Sequence, residues 1–380
     1  MLAEGLTEAT SVEAADVVVV NTCAFVEEAR QESIDTILSL ESARGDGAEL
    51  VVTGCLAERY GQELETALPE VDQVAGFGVA VTLSATRRGD ESSAPPAPSL
   101  DLLDLPRPPA AAPWAYVKIA EGCDRNCGFC AIPTFRGKQR SRTIDSILEE
   151  VEQLGAAEIV LVAQDLAAYG RDQGVGERRI VPLVRSVAQV VDRVRLLYLY
   201  PSDLNDELID TICGTGVPYF DLSLQHVSRP LLRRMRRWGE GDLFLERIET
   251  IRGRESEATF RSNFIVGYPG ETEDDHDQLL EFVRDARLDW CGFFSYSAEE
   301  GTHAVTLDGK VPNGLMHDRL AELRELQDQI TEEKRDALIG STVEVLVDSP
   351  GVGRSHREAP EIDGIIRVPE HVAVGTFTRF

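Results

Sequence analysis

The sequence predicts an α/β protein in three parts: an N-terminal open α/β domain, a central array of βα units, and a small C-terminal β domain. Three patterns carry that expectation. Two valine-rich runs near the N terminus, DVVVV and ELVV, each lead into a small polar residue and then a cysteine. Six further β-type runs alternate with amphipathic helical stretches, and past residue 338 the pattern changes to apolar/polar alternation. Strands and helices alternating in series favour a parallel sheet covered by helices.

Taken in order, residues 1–85 hold the two runs AADVVVVNTCAF and AELVVTGCLAE, and are strongly acidic, with 16 acidic and 3 basic side chains up to residue 83. Residues 86–113 read as a linker, because seven prolines between 93 and 113 exclude a helix or a central strand. Over 114–338 the strand-like runs are Tyr116–Ala120, Ile159–Ala163, Arg195–Tyr200, Tyr219–Leu224, Thr259–Val266 and Cys291–Tyr296. Helical patterns fall near 144–154, 180–192, 204–213, 228–252 and 273–287. Thr143 followed by Ser146, and Thr272 followed by Asp275, mark two of the helix starts. Six such units imply a parallel sheet, either doubly wound or curled into a partial barrel. A charged helix follows over about 314–338, with Leu320, Leu323, Leu326 and Ile330 as its apolar positions. In residues 339–380, Val343, Val345 and Val347 share one face of a strand and Gly364–Val368 is another. The roughly 40 residues there are fewer than a complete β barrel uses, so this domain is expected to be incomplete.

Composition narrows the function classes. The chain has 380 residues and is 43% apolar, which excludes bulk disorder. No apolar run reaches the ~18–20 residues of a membrane span, and the acidic start MLAEGLTEAT is unlike a signal peptide. A soluble cytoplasmic protein without membrane partners is expected. The 38 basic against 66 acidic side chains give a net charge of −28. That balance disfavours gripping nucleic acid along the whole surface and suits a basic partner. Seven cysteines in so large a chain do not form a disulfide scaffold.

The cysteines are placed to do chemistry. Cys123, Cys127 and Cys130 lie in EGCDRNCGFC, just after the first strand of the array. Three thiolates in one loop can converge on a soft metal centre. A structural zinc site takes four protein ligands, so three leave one metal position open. Cys23 and Cys55 each end a strand, and the carboxyl ends of parallel strands face the crevice where open α/β sheets bind ligands. Either one alone reads as a buried structural thiol; together they can present two thiolates to one centre. Cys213 and Cys291 read as packed core thiols.

The strand–NTC and strand–TGC pair, the CxxxCxxC loop with Phe129 before its last cysteine, and the small C-terminal β domain come in a telling order. In that order they resemble the methylthiotransferase family of radical S-adenosylmethionine (SAM) enzymes, over essentially the whole chain. AIPTFRGKQRSR, VAQDLAAYG, YLYPSDLNDELID, DLSLQHVSRPLLRRMRR, NFIVGYPGETEDD and GRSHREAPEIDG resemble the branch that modifies a ribosomal protein more than the branch that modifies transfer RNA. The resemblance implies a partial (βα)6 TIM-like barrel between an N-terminal methylthiotransferase domain and a TRAM-like domain. It implies that Cys123, Cys127 and Cys130 hold a [4Fe–4S] cluster whose open iron binds SAM, with Phe129, Gln164, Gly267 and Gly270 about the cofactor. Cys23 and Cys55 would match the second and third ligands of an auxiliary [4Fe–4S] cluster. The first ligand belongs to a strand upstream of Met1, so the chain is expected to be truncated at both ends. The implied activity adds a methylthio group to the β-carbon of an aspartate in a small-subunit ribosomal protein. Implied partners are the ribosomal subunit and an electron donor such as flavodoxin or ferredoxin. A tRNA adenosine methylthiotransferase, or a cluster-binding remnant without activity, are the alternatives.

Other positions carry two readings. Arg233, Arg234, Arg236 and Arg237 are either a solvated helix face or a contact for ribosomal RNA. Arg136, Lys138, Arg140 and Arg142 are either structural or line the substrate and the SAM carboxylate. Asp165, Gln225 and His226 fall at strand ends on the functional rim, His226 as a hydrogen-bonded structural histidine.

Overall fold

A computed structural model describes residue 7 and residues 9–77, 107–174 and 176–380, and its contacts divide the chain into two units, 1–105 and 106–380. The proline-rich linker expected over 86–113 lies, up to residue 106, outside the described residues.

The first unit is a three-stranded parallel sheet. Its elements run β1 (Val17–Thr22), α1 (Glu27–Ala43), β2 (Glu49–Gly54), α2 (Cys55–Ala67) and β3 (Gln73–Ala75), with strand order β1-β2-β3. The helices are the crossovers that parallel pairing requires. Central β2 buries Leu50, Val51 and Val52 completely. Edge strand β1 instead alternates: Val18, Val20 and Thr22 are buried while Val19 is 37% exposed. Four consecutive valines therefore do not make a strand covered on both faces: successive side chains point to opposite faces, and one face of β1 is left more exposed.

The second unit begins with β4 (Trp114–Lys118), followed by β5 (Ala120–Glu121), α3 (Ile132–Phe135) and β6 (Arg140–Ser141), with β5 and β6 forming a small antiparallel pair. Then come α4 (Ile144–Leu154), β7 (Glu158–Val162), α5 (Ile180–Val187), β8 (Arg193–Leu196), α6 (Asp206–Cys213) and β9 (Tyr219–Gln225). The array ends with α7 (Arg229–Arg234), α8 (Gly241–Arg254), β10 (Thr259–Val266), α9 (Glu273–Ala286) and β11 (Trp290–Ser295). Thr143 caps α4, and Thr272 with Asp275 forms a full capping box on α9. Strands β4-β7-β8 and β9-β10-β11 are two parallel ribbons joined by one parallel bridge, Leu199 to Leu222. The six strands thus follow in sequence order as a partial barrel, which resolves the choice left open between barrel and doubly wound sheet.

Strand alternation sorts the side chains into two layers. One face sends Val117, Ile159, Leu161, Val194, Leu196, Phe220, Leu222 and Phe260 into the core shared with the helices. The other gathers Val160, Leu197 and Tyr219, with Tyr116 and Trp290, around Ala359 of the C-terminal segment. This inner layer is charged. Fully buried Arg195 donates to Glu158 at 2.7 Å, and Arg261 donates to buried Asp221 at 3.1 Å. Burial pushes the Glu158 carboxyl up, but the guanidinium charges of Arg195 and Arg354 outweigh it and hold Glu158 below its usual range.

Helix α10 (Asn313–Asp336) leads to β12 (Glu344–Ser349), β13 (Val352–Arg354), β14 (Ile366–Arg367) and β15 (Phe377–Arg379), an antiparallel sheet of order β14-β13-β12-β15. Leu346 is as buried as Val345 and Val347, contrary to simple alternation. Its strand partner Phe377 lies under the Arg193 guanidinium at 4.7 Å, so the second face of this sheet rests on the barrel. The GRSHREAPEIDG segment closes the amino ends of the barrel strands. Tyr116 donates to the Pro360 carbonyl, Tyr219 to Asp363 and Trp290 to the Arg357 carbonyl, at 2.6–2.7 Å.

Candidate functional site

The opposite, carboxyl ends of the barrel strands carry the rim where ligands bind in this architecture. The Cys123–Cys130 loop leaves β5 here. Gly122 opens it at φ 83°, where a side chain would strike the Lys138 and Gly137 carbonyls. Gln164, after β7, accepts the Gly122 N–H at 2.9 Å, and Cys123 N–H donates to the Gly137 carbonyl at 3.1 Å. At the other end of the loop, Gly128 N–H donates to Met235 O at 2.8 Å, Ala304 N–H donates to Gly128 O at 2.8 Å, and the Tyr268 hydroxyl sits where a Gly128 side chain would go. Phe129 packs partly buried on the barrel core.

Burial pushes the Cys123 thiol up to about 11, and it pushes Cys130 up to about 12 with the charges of Cys127 and Cys123 adding to it. Three mutually interacting thiols within eight residues are a soft donor set of the kind that holds an iron–sulfur cluster with one position left open. Among the described residues no three His, Cys, Asp or Glu side chains form a closed metal-holding group, so the fit rests on donor chemistry and loop anchoring.

Two arginines flank Tyr200 beside the loop. Arg125 lies 3.7 Å from the Tyr200 ring and is ion-paired to Asp165 at 2.6 Å and to Asp203. Arg237 lies 4.4 Å from the same ring and donates to Cys127 Sγ at 3.3 Å. Asp165 Oδ1, Arg237 Nε and Asn263 Oδ1 are buried without a hydrogen-bond partner among the described residues. Tyr198 and Gln225, at the ends of β8 and β9, have φ of 63° and 71°. For bulky residues such strain costs on the order of 1–3 kcal/mol each, and it gathers where the two ribbons meet. Tyr198 also ends β8 earlier than the sequence suggests, its N–H turning to Asp221 at 3.0 Å.

The remaining predicted positions divide. Gly267 and Gly270 have φ of 84° and 90° and shape a rim turn that Glu271 closes, accepting from Tyr268 N–H at 3.2 Å and from Arg319 at 2.8 Å. Side chains at these glycines would strike Met316 and Arg234. His226 is fully buried and accepts the Ser228 N–H, a structural role. Arg142 is buried against Ser146, Glu150 and Lys118 O, and Arg136 pairs with Glu121, so neither lines the rim freely. The arginine run starts at the end of α7 and continues past it: Arg234 bonds Pro269 O and Arg237 is buried, which corrects the reading of a solvated helix face, while Arg233 and Arg236 are exposed. The sequence reading singled out Arg237 but not its grouping with Arg125 and Tyr200, which DRN between two cysteines and YLYPSD hold.

In the first unit, Cys23 and Cys55 directly follow the paired positions Thr22 and Gly54 on adjacent parallel strands. Cys23 is exposed and Cys55 is buried at the start of α2. Ser33 fixes the Cys23 backbone by accepting its N–H at 3.0 Å and donating to its carbonyl at 3.1 Å. The fold thus brings this pair to the carboxyl ends of two adjacent parallel strands.

Known proteins resemble this chain in sequence and in fold. The chain matches the model of the Radical SAM superfamily over residues 117–283, that of the Uncharacterized protein family UPF0004 over 1–76 and that of the TRAM domain over 339–380. It is 43% identical to the ribosomal protein uS12 methylthiotransferase RimO of Moorella thermoacetica over 366 residues, covering 93% of this chain and 84% of that one. The protein of the same name from Streptomyces coelicolor is 40% identical over 420 residues, covering 95% and 85%. Among solved structures, the radical SAM methyltransferase TsrM of Kitasatospora setae, with cobalamin and a [4Fe–4S] cluster bound, aligns over 94% of this chain and 72% of its own at 14% identity and a TM-score of 0.54. That likeness speaks for the fold.

Proposed function

This chain belongs to the RimO family of ribosomal protein uS12 methylthiotransferases, and on that premise we propose that it adds a methylthio group to the β-carbon of an aspartate in uS12. The observation that carries the reading is the three-cysteine loop, anchored at the carboxyl rim of a six-stranded radical SAM barrel. Cys123, Cys127 and Cys130 would hold a [4Fe–4S] cluster, and Phe129, Gln164, Gly267 and Gly270 would border SAM. Cys23 and Cys55 would serve an auxiliary [4Fe–4S] cluster. Held there, these groups would supply the electron, the radical chemistry, the methyl group and the sulfur, so the rim would need no acid–base pair.

The protein's own part is to hold and to shield. Gln164 fixes the entry of the cysteine loop through Gly122 N–H. Arg125, locked between Asp165 and Asp203, stiffens the loop between its first two cysteines. His226, pushed down to about 4 by burial, stays neutral at working pH. We assign residues 1–85 to the methylthiotransferase domain, 114–338 to the radical SAM core and 339–380 to the TRAM-like domain. The net charge of −28 suits approach to a basic ribosomal protein in the cytoplasm, with exposed Arg233 and Arg236 as the candidates for touching ribosomal RNA. A flavodoxin or ferredoxin is the proposed electron donor. No helix among the described residues is long and apolar enough to cross a membrane.

The test is anaerobic reconstitution of the full chain with iron and sulfide, followed by reductive SAM cleavage. Wild type should form 5′-deoxyadenosine, and the Cys123→Ala, Cys127→Ala, Cys130→Ala variant should form none while keeping its fold. Equal cleavage by both would overturn the site.

A further inference from the structure

Arg237 is the exception among the buried arginines. Among the described residues Arg142, Arg193, Arg195, Arg237, Arg319 and Arg354 are buried, and five of these six have a carboxylate within ion-pair distance. Arg237 has none, although it is only 9% exposed. Arg125, on the same Tyr200 ring, has two. A guanidinium removed from water without an opposite charge is costly, so a chain that buries one provides a counter-charge.

The groups around Arg237 identify that counter-charge. Nη1 donates to Cys127 Sγ at 3.3 Å, Nη2 donates to the Ser223 carbonyl, the Tyr200 ring lies 4.4 Å from the guanidinium, and Nε has no partner. Its charge also reaches Cys130, whose thiol it pulls downward against burial. The Met235 carbonyl, two residues before Arg237, holds Gly128 N–H, so the backbone that carries the arginine also fixes the loop. Of the acceptors that Arg237 meets, the Ser223 carbonyl is neutral, and the cysteine sulfurs are the ones that become anionic on binding a cluster. Hydrogen bonds and positive charge at ligand sulfurs favour the reduced, more negative cluster and raise its potential.

We propose that Arg237 is a positioning residue of the radical SAM site, the buried counter-cation of the three-cysteine cluster, holding Cys127 in place and raising the cluster's reduction potential. This rests on the reading of Cys123, Cys127 and Cys130 as the cluster site. Without the guanidinium the cluster is harder to reduce, whatever becomes of SAM binding.

The experiment compares the reconstituted full chain with Arg237→Gln and Arg237→Lys. Iron and sulfide content and circular dichroism establish loading and fold. The midpoint of one-electron reduction is then followed by electron paramagnetic resonance, on the signal that SAM perturbs, without and with SAM. Arg237→Gln should lower the reduced-to-oxidised ratio at a fixed poise at least tenfold without SAM, 59 mV for a one-electron couple. Arg237→Lys keeps the charge but loses the fork, and should lower the ratio about threefold; it carries the test if the glutamine variant does not load. A loaded variant with the wild-type midpoint overturns the proposal. So does a midpoint altered only with SAM and accompanied by weaker SAM binding, which would make Arg237 a ligand of the SAM carboxylate. Wild type that assembles no cluster on the three cysteines defeats the underlying reading, and the proposal with it.

Discussion

At the end of β9, His226 is wholly buried, with Nδ1 accepting the Ser228 N–H at 3.1 Å and Nε2 without a partner. Burial pushes it down from 6.5 to about 4. The unfolded chain therefore binds the histidine proton at a pH where the folded chain does not. Stability from this residue is complete above about 6.5 and is lost as pH falls towards 4, on the order of 3 kcal/mol. Urea midpoints measured between pH 7 and 4 should fall more steeply for wild type than for His226→Asn, which keeps an acceptor for Ser228 and does not titrate. Equal slopes would count against it. The three cysteines were legible because thiol spacing is chemistry written along the chain. Arg237 was not, because RRMRR resembles a solvated face until the Cys127 loop folds against it.

Among the elements, the six barrel strands were readable because β-branched runs and helix caps punctuate them, as at Thr143 and Thr272. The β13 and β15 strands were not: one is the short, glycine-containing VGR and the other lies against the chain end. The β2–α2 junction depends on Gly54, at φ 94° with the Thr22 backbone where a side chain would stand. Gly54→Ala should destabilise the first unit by about 2 kcal/mol or more. Hydrogen exchange should quicken across Val17–Thr22 and Glu49–Gly54 while the barrel strands stay protected. Unchanged exchange there would show that the junction tolerates a side chain.

For the whole molecule, the C-terminal sheet and the barrel are joined through buried charge. Glu158 accepts from Arg195 at 2.7 Å and from Arg354 at 3.2 Å, and Arg354 continues to Asp348 at 2.6 Å. Sequence could not pair residues 158 and 354, because long-range ion pairs leave no periodic mark. Glu158→Ala leaves buried Arg195 without its carboxylate and Arg354 with Asp348 alone, and should cost about 3–5 kcal/mol. Calorimetry should record the lower stability, and exchange should rise in residues 344–367; a near-neutral effect would make the network dispensable. Overall acidity, by contrast, was plain from composition, and it favours a basic protein substrate over tRNA. The substrate is decided by mass spectrometry after anaerobic incubation of the reconstituted chain with SAM, reductant, small ribosomal subunits and tRNA. Wild type should place a methylthio group on an aspartate of uS12, and Cys127→Ala should place none. Methylthio-adenosine in tRNA beside unmodified uS12 would contradict it.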